Sequence, residues 1–294
     1  MNRNIFKGLG VALITPFMEN GAIDFAALAK IVDNLVEGGV NYILVLGTTG
    51  ETPTLTTDER KALIRFVRER VAGRVALMVG VGGNCTREVV ASLKSWDLSG
   101  YSAILSVNPY YNKPNQEGLY QHFKAIAEAS PLPIMLYNIP GRTGVNMVPE
   151  TIARLANDFS NIIGVKEASG NLEQMERVKA VTPSDFLLIS GDDGLTVEVI
   201  KRGGAGVISV LANAYPAETQ EVVALALNNQ FEKAEQKLKA LDNIISLLFE
   251  EGNPTGVKTA LYAKGLIQPF LRLPMVFGSE SLVDRLRIAV RENE

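Results

Sequence analysis

The chain has 294 residues, 47% of them hydrophobic, enough for a large buried core. Its 29 basic and 32 acidic residues are interspersed and leave a formal net charge of -3, which offers neither a basic stripe for nucleic acid nor a charged tail for a membrane surface. A lone cysteine, Cys85, excludes an internal disulfide and fits a reducing compartment, and with a lone histidine, His122, the usual structural zinc sets are excluded as well.

At the amino terminus, the apolar stretch from Gly8 to Phe17 superficially mimics a secretory leader. Pro16 closes it and no small-residue cleavage site follows, so it reads as a first strand. Strands are expected at Gly10–Thr15, Tyr42–Leu46, Val75–Val81, Tyr101–Val107, Pro133–Tyr137, Ile162–Glu167, Phe186–Ser190 and Gly206–Val210. Helical periodicity fills the gaps, as at Phe25–Glu37, Asp58–Val71, Glu117–Ala129 and Pro149–Ala156. Eight strand–helix units with short links predict an α/β chain whose residues 1–228 close into a (β/α)8 TIM barrel. An open doubly wound sheet is the runner-up, but no Gly-x-Gly-x-x-Gly turn follows the first strand. Residues 229–294 predict a C-terminal three-helix extension at Asn229–Glu251, Thr255–Leu266 and Ser281–Glu294, broken at Pro254, Pro269 and Pro274. Such a tail would pack beside the barrel or against a partner chain. No apolar run reaches membrane-spanning length, and a cytoplasmic protein is expected.

In such barrels the chemistry sits at the carboxyl ends of the strands. Strand two ends in Gly47-Thr48-Thr49-Gly50-Glu51, where glycines let backbone N–H groups approach a small carboxylate or phosphate; a plain polar turn explains the glycines but not the paired threonines. Tyr137 ends strand five and is either a proton donor and acceptor or a core tyrosine with a satisfied hydroxyl. Arg142, in the glycine-flanked loop after it, is either a bidentate carboxylate clamp or an exposed loop arginine. Lys166 lies in the apolar run Ile162-Ile163-Gly164-Val165-Lys166-Glu167-Ala168, where alternation sets it on one face with Gly164 and Ala168. An amine withheld from water is more readily the free nucleophile a Schiff base requires; the alternative is a strand-end lysine reaching out to water or to a carboxylate. The paired Asp192 and Asp193 after strand seven could hold a divalent metal but lack a nearby histidine or third acidic residue, and Asp192 or Asp193 more simply caps the next helix. The Gly203-Gly204-Ala205-Gly206 run resembles a phosphate loop but precedes strand eight, at the wrong end of the barrel, and reads as a tight turn. His122 reads as a helix-surface residue.

Together these motifs resemble the pyruvate-dependent class I lyases of the dihydrodipicolinate synthase and N-acetylneuraminate lyase superfamily. The resemblance spans Gly10 to Pro274 and rests on Gly47-Thr48-Thr49-Gly50-Glu51, Tyr110-Tyr111-Asn112, Tyr137-Asn138-Ile139-Pro140, Gly164-Val165-Lys166-Glu167-Ala168 and Gly206-Val207-Ile208-Ser209-Val210. Arg142-Thr143-Gly144 points to the dihydrodipicolinate synthase branch, which binds the carboxylate of L-aspartate 4-semialdehyde there, rather than to the sialic acid or sugar-acid lyases. The resemblance implies a covalent pyruvate imine on Lys166 and proton transfer by Tyr137, coupled through Thr48 to Tyr111 from a neighbouring subunit. Thr49, Gly191 and Ile208 would hold pyruvate. It implies no organic cofactor, no catalytic metal, and a homo-oligomer, tetramer or dimer. A lysine-effector cavity would use Asn84, Glu88 and Tyr110, with Thr52, Pro53, Thr57 and Arg60 around it. Arg60 departs from the histidine or glutamate of feedback-sensitive members, so weak or absent lysine inhibition is expected.

Overall fold

The computed structural model describes residues 3–292. Eight parallel strands close into a barrel in sequence order: β1 (Gly8–Ala12), β2 (Tyr42–Val45), β3 (Ala76–Gly80), β4 (Ala103–Val107), β5 (Ile134–Asn138), β6 (Ile162–Glu167), β7 (Leu187–Ser190) and β8 (Gly206–Ser209). Helices α1 (Phe25–Glu37), α2 (Thr57–Val71), α3 (Thr86–Ser95), α4 (Gln116–Ala129), α5 (Pro140–Thr143), α6 (Pro149–Asp158), α7 (Leu172–Val181), α8 (Thr196–Lys201) and α9 (Pro216–Leu227) lie between and after them. The (β/α)8 fold expected from the sequence is present, and most predicted boundaries fall within two residues of the observed ones. β1 is the exception: it starts at Gly8 and ends at Ala12, because Ile14 leaves the ladder to donate its N–H to Asn213 Oδ1.

Alternation sorts the strand residues into two cores. Leu44, Met78, Leu105, Met135 and Ile189 fill the lumen, while Ile43, Val79, Ile104 and Leu188 pack outward against the helices. At the amino-terminal end Phe6 meets Tyr42 edge-on at 5.3 Å and plugs the lumen. β8 and β1 approach so closely there that a Cβ on Gly206 would lie 2.0 Å from the Gly8 carbonyl oxygen. The Gly203–Gly206 run is the expected tight turn, with the N–H groups of Gly203, Gly204 and Ala205 all donating to carbonyls.

One irregularity matters for the site. The β5–β6 register shifts after Ile162, so Ile163 is bulged and both Ile163 and Gly164 face the lumen. The phase of the strand changes at that point, and Lys166 follows Gly164 onto the inner wall.

Four helices follow the barrel among the described residues: α10 (Phe231–Ala240), α11 (Asp242–Glu250), α12 (Thr255–Ala263) and α13 (Glu280–Glu292). The predicted Asn229–Glu251 helix is therefore two, divided at the buried Leu241, so the extension has four helices rather than three. Helical periodicity continues across the break, and no Gly or Pro announces it.

Candidate active site

Register places Tyr137 opposite Lys166 and Lys166 opposite Ile189. The Lys166 ammonium sits 4.5 Å from the centre of the Tyr137 ring, and each of the two residues is only 5% exposed. Among the described residues no carboxylate pairs with Lys166, and no hydrogen bond occupies the Tyr137 hydroxyl. Gly191 closes the pocket on the β7 side: a Cβ there would lie 3.1 Å from Lys166 Cε and 2.6 Å from Ala168 Cβ. Glycine at 191 leaves room for the lysine side chain to lie across it. Ile208 is buried in the lumen on β8, opposite Gly10.

Behind this pair, on the outer face, a polar network fixes the ends of β5 and β6. Glu167 accepts from Asn138 Nδ2, the Ser169 N–H and Gln174 Nε2 at 2.9–3.1 Å, and Asn138 Oδ1 accepts from Asn108 Nδ2 at 2.8 Å. Burial pushes the Glu167 carboxyl above its ordinary value despite those donors.

The Gly47–Glu51 turn rises from β2. Thr49 is buried and its Oγ1 accepts from Asn253 Nδ2 at 3.0 Å; Thr48 is half-buried with no side-chain hydrogen bond among the described residues. Arg142 is exposed on α5, and its Nη2 donates to the Asn253 carbonyl at 3.2 Å. Asn253 thus joins the hydroxyl turn to the loop arginine, and its Oδ1 remains buried without a partner. The sequence reading missed this residue, seeing only a helix break at Pro254.

Tyr111 is not gathered into the pocket. It is 88% exposed, with a left-handed backbone (φ 77°), on a loop where Lys113 is also left-handed. Asn84 and Glu88 are exposed, and Asn84 Nδ2 reaches the Tyr110 carbonyl of the same loop at 3.4 Å. Arg60 is tied down instead of free, its Nη2 donating to the Thr52 carbonyl at 3.0 Å.

Two further readings are corrected. His122 is buried, not on the helix surface: its ring packs edge-on against Phe123 at 5.0 Å, its Nδ1 lies 2.8 Å from Thr86 Oγ1, and burial lowers its pKa to about 4. Asp193 does not cap α8; it is buried and accepts from Ser209 Oγ and the N–H groups of Val210 and Leu211, tying β7 to the end of β8. The Asp192 side chain accepts from the Gly194 N–H at 2.9 Å, within its own turn. Among the described residues no group of three or more His, Cys, Asp or Glu could hold a metal ion, and no helix is long and apolar enough to cross a membrane.

Among the described residues Lys166 has no carboxylate partner and Tyr137 no hydroxyl partner, and an amine so placed at the carboxyl end of a parallel barrel is the arrangement a Schiff-base lysine requires. The chain belongs to the dihydrodipicolinate synthetase family, which it matches over residues 5–293. It is 51% identical over 286 residues to the 4-hydroxy-tetrahydrodipicolinate synthase of Parabacteroides distasonis, covering 97% of this chain and 96% of that protein. The dihydrodipicolinate synthase structure from Thermotoga maritima superimposes with a TM-score of 0.95 at 43% identity, covering 98% of both chains. The enzyme from Cyanidioschyzon merolae, solved with lysine bound, gives a TM-score of 0.94 at 40% identity over 98% of both chains.

Proposed function

We propose that this enzyme condenses pyruvate with L-aspartate 4-semialdehyde to 4-hydroxy-tetrahydrodipicolinate, the first committed step towards diaminopimelate and lysine. The observation that carries the reading is the Lys166–Tyr137 pair: among the described residues, an amine with no counter-ion in contact with a phenol whose hydroxyl is uncommitted. The Lys166 amine adds to the ketone of pyruvate and water leaves, giving an imine that draws electrons from the methyl carbon. Loss of a methyl proton gives the enamine, whose carbon attacks the aldehyde of the second substrate. The amine of that substrate then attacks the imine carbon, closes the ring and releases Lys166. No external cofactor enters these steps.

Tyr137 relays the protons, with Thr48 linking it to Tyr111 of a neighbouring copy. The exposure of Tyr111 supports that assignment, since a single chain leaves its ring in solvent. Thr49, with the backbone of Gly191 and Ile208, holds the pyruvate carboxylate, and Arg142 holds that of the semialdehyde. The enzyme then works as a homo-oligomer, a dimer or tetramer, in the cytoplasm. Borohydride reduction in the presence of pyruvate, followed by peptide mass mapping, tests the reading: the adduct is expected on Lys166, and an adduct elsewhere or none overturns it.

A further inference from the structure

A second buried lysine lies outside the chemistry just described. Lys258, on α12, pairs with Glu51 at the end of the hydroxyl turn, and both side chains are wholly shielded from solvent. The ammonium also donates to the Phe270 carbonyl at 3.2 Å and lies 4.3 Å from the centre of the Phe17 ring. The other carboxylate oxygen of Glu51 accepts the Arg272 N–H at 3.1 Å. Arg272 itself reaches the carbonyls of Gly21 and Thr54 and the carboxylate of Glu59. Every partner of this ion pair comes from the amino-terminal strand region, the turn or the C-terminal extension.

Stability alone is a poor reason for such a pair, because well-packed apolar side chains of similar volume commonly do as well. What an ion pair with fixed partners adds is direction. Glu51 is where direction is needed: it ends one 3-10 turn (Thr48–Gly50), begins the next (Thr52–Thr54), and holds a left-handed backbone at φ 54°, ψ 32°. A side chain disfavours that conformation. The backbone of Glu51 donates to the Thr48 carbonyl at 3.1 Å, so its orientation is passed directly to the residues that precede it. The same C-terminal segment touches the turn again five residues upstream of Lys258, where Asn253 holds Thr49 Oγ1.

We propose that the Glu51–Lys258 pair is a positioning device that sets the Thr48-Thr49-Gly50 turn for the carboxylate of the first substrate, making the C-terminal extension a working part of the site. Neither residue touches substrate. The proposal rests on the assignment of Thr49 to pyruvate binding, and its test separates the two.

The variant to compare is E51Q/K258M, which removes both charges and leaves neither unpaired. Imine trapping by borohydride is measured against pyruvate concentration, alongside kcat and the KM of each substrate. The folded double variant is expected to form its adduct on Lys166 with half-saturation raised about tenfold, while kcat at saturation changes by less than about threefold. Wild-type pyruvate saturation in the folded variant overturns the proposal, as that result makes the pair structural only. Should the double variant fail to fold, K258R carries the same test, because it keeps the charge and displaces the geometry; unchanged saturation there also overturns it. Absence of any adduct in the wild-type enzyme instead brings down the pyruvate reading itself.

Discussion

The lumen around Lys166 and the junction around Lys258 bury the same functional group in opposite ways. Lys166 has a ring beside it, a glycine beneath it and no carboxylate among the described residues. Lys258 has a carboxylate, a carbonyl and a ring, which together occupy its donors. An amine with its donors filled is held as a cation in one place, and burial lowers its pKa only to about 8 against the opposing pull of Glu51. An amine with no such partners keeps its donors uncommitted. What surrounds a buried lysine decides whether its donors are spent on the fold or left open.

The largest effect that can break this contrast comes from Lys166→Ala. Turnover and pyruvate adduct are both expected to vanish, since no neighbouring group can substitute for a covalent electron sink; mass mapping that finds the adduct on Lys258 would erase the distinction. Tyr137→Phe comes next, with a folded protein slowed by about 10²–10⁴-fold in steady-state assays. Unchanged turnover would make Tyr137 a packing residue. For Arg142→Ala the loss should fall on one substrate: KM for the semialdehyde rises by an amount worth about 1.5–3 kcal/mol while trapping by pyruvate persists. A variant that instead fails to take up pyruvate reverses the two carboxylate assignments.

The junction, being electrostatic, should also be acid-sensitive. Hydrogen bonding to Arg272 holds the Glu59 carboxyl at about 2, below its ordinary 4.5. A depressed folded-state value means the contribution is full above pH 4.5 and is lost as the pH falls towards 2. Melting temperature followed over that window should fall less steeply in Glu59→Gln than in the native protein; parallel slopes would remove the pair from the account. The smallest expected effect concerns regulation. The Arg60 guanidinium, fixed on the Thr52 carbonyl, adds a positive charge beside the expected lysine cavity, so initial rates should respond weakly to added lysine. Strong inhibition below millimolar lysine would show that the guanidinium does not face the effector.

The barrel was legible because strict alternation and short links leave few other folds for eight strand–helix units. Lys166 was legible because a charge inside an apolar strand is an anomaly. The same anomaly was present in Val257-Lys258-Thr259-Ala260-Leu261 and went unread, since a lysine on a helix is ordinarily placed on its wet face. His122 carried a signal too: it stands three residues after Leu119 and four before Ile126, both buried, on the inward side of α4. The break at Leu241 and the reach of Asn253 across to Thr49 had no local signature, because each depends on partners distant in the chain. Asp193 was misassigned for a related reason: its acceptors are filled by β8, sixteen to eighteen positions onward, rather than by the helix it precedes.

The bulge at Ile163 acts on β6 as a shifted reading frame. Counted from Ile162 by simple alternation, Lys166 would share the face of Ile162, which packs outward; the extra residue moves it to the lumen. Gly164 is part of the same instruction, since a Cβ there would meet the Leu187 carbonyl oxygen at 2.5 Å and Met135 Sδ at 2.8 Å. Transplanting this lysine into another barrel strand therefore means copying a three-part phrase: the inserted residue, the glycine that tolerates it, and the amine two positions on. Copied alone, the lysine is a word out of frame, pointing at the helices with nothing there to react.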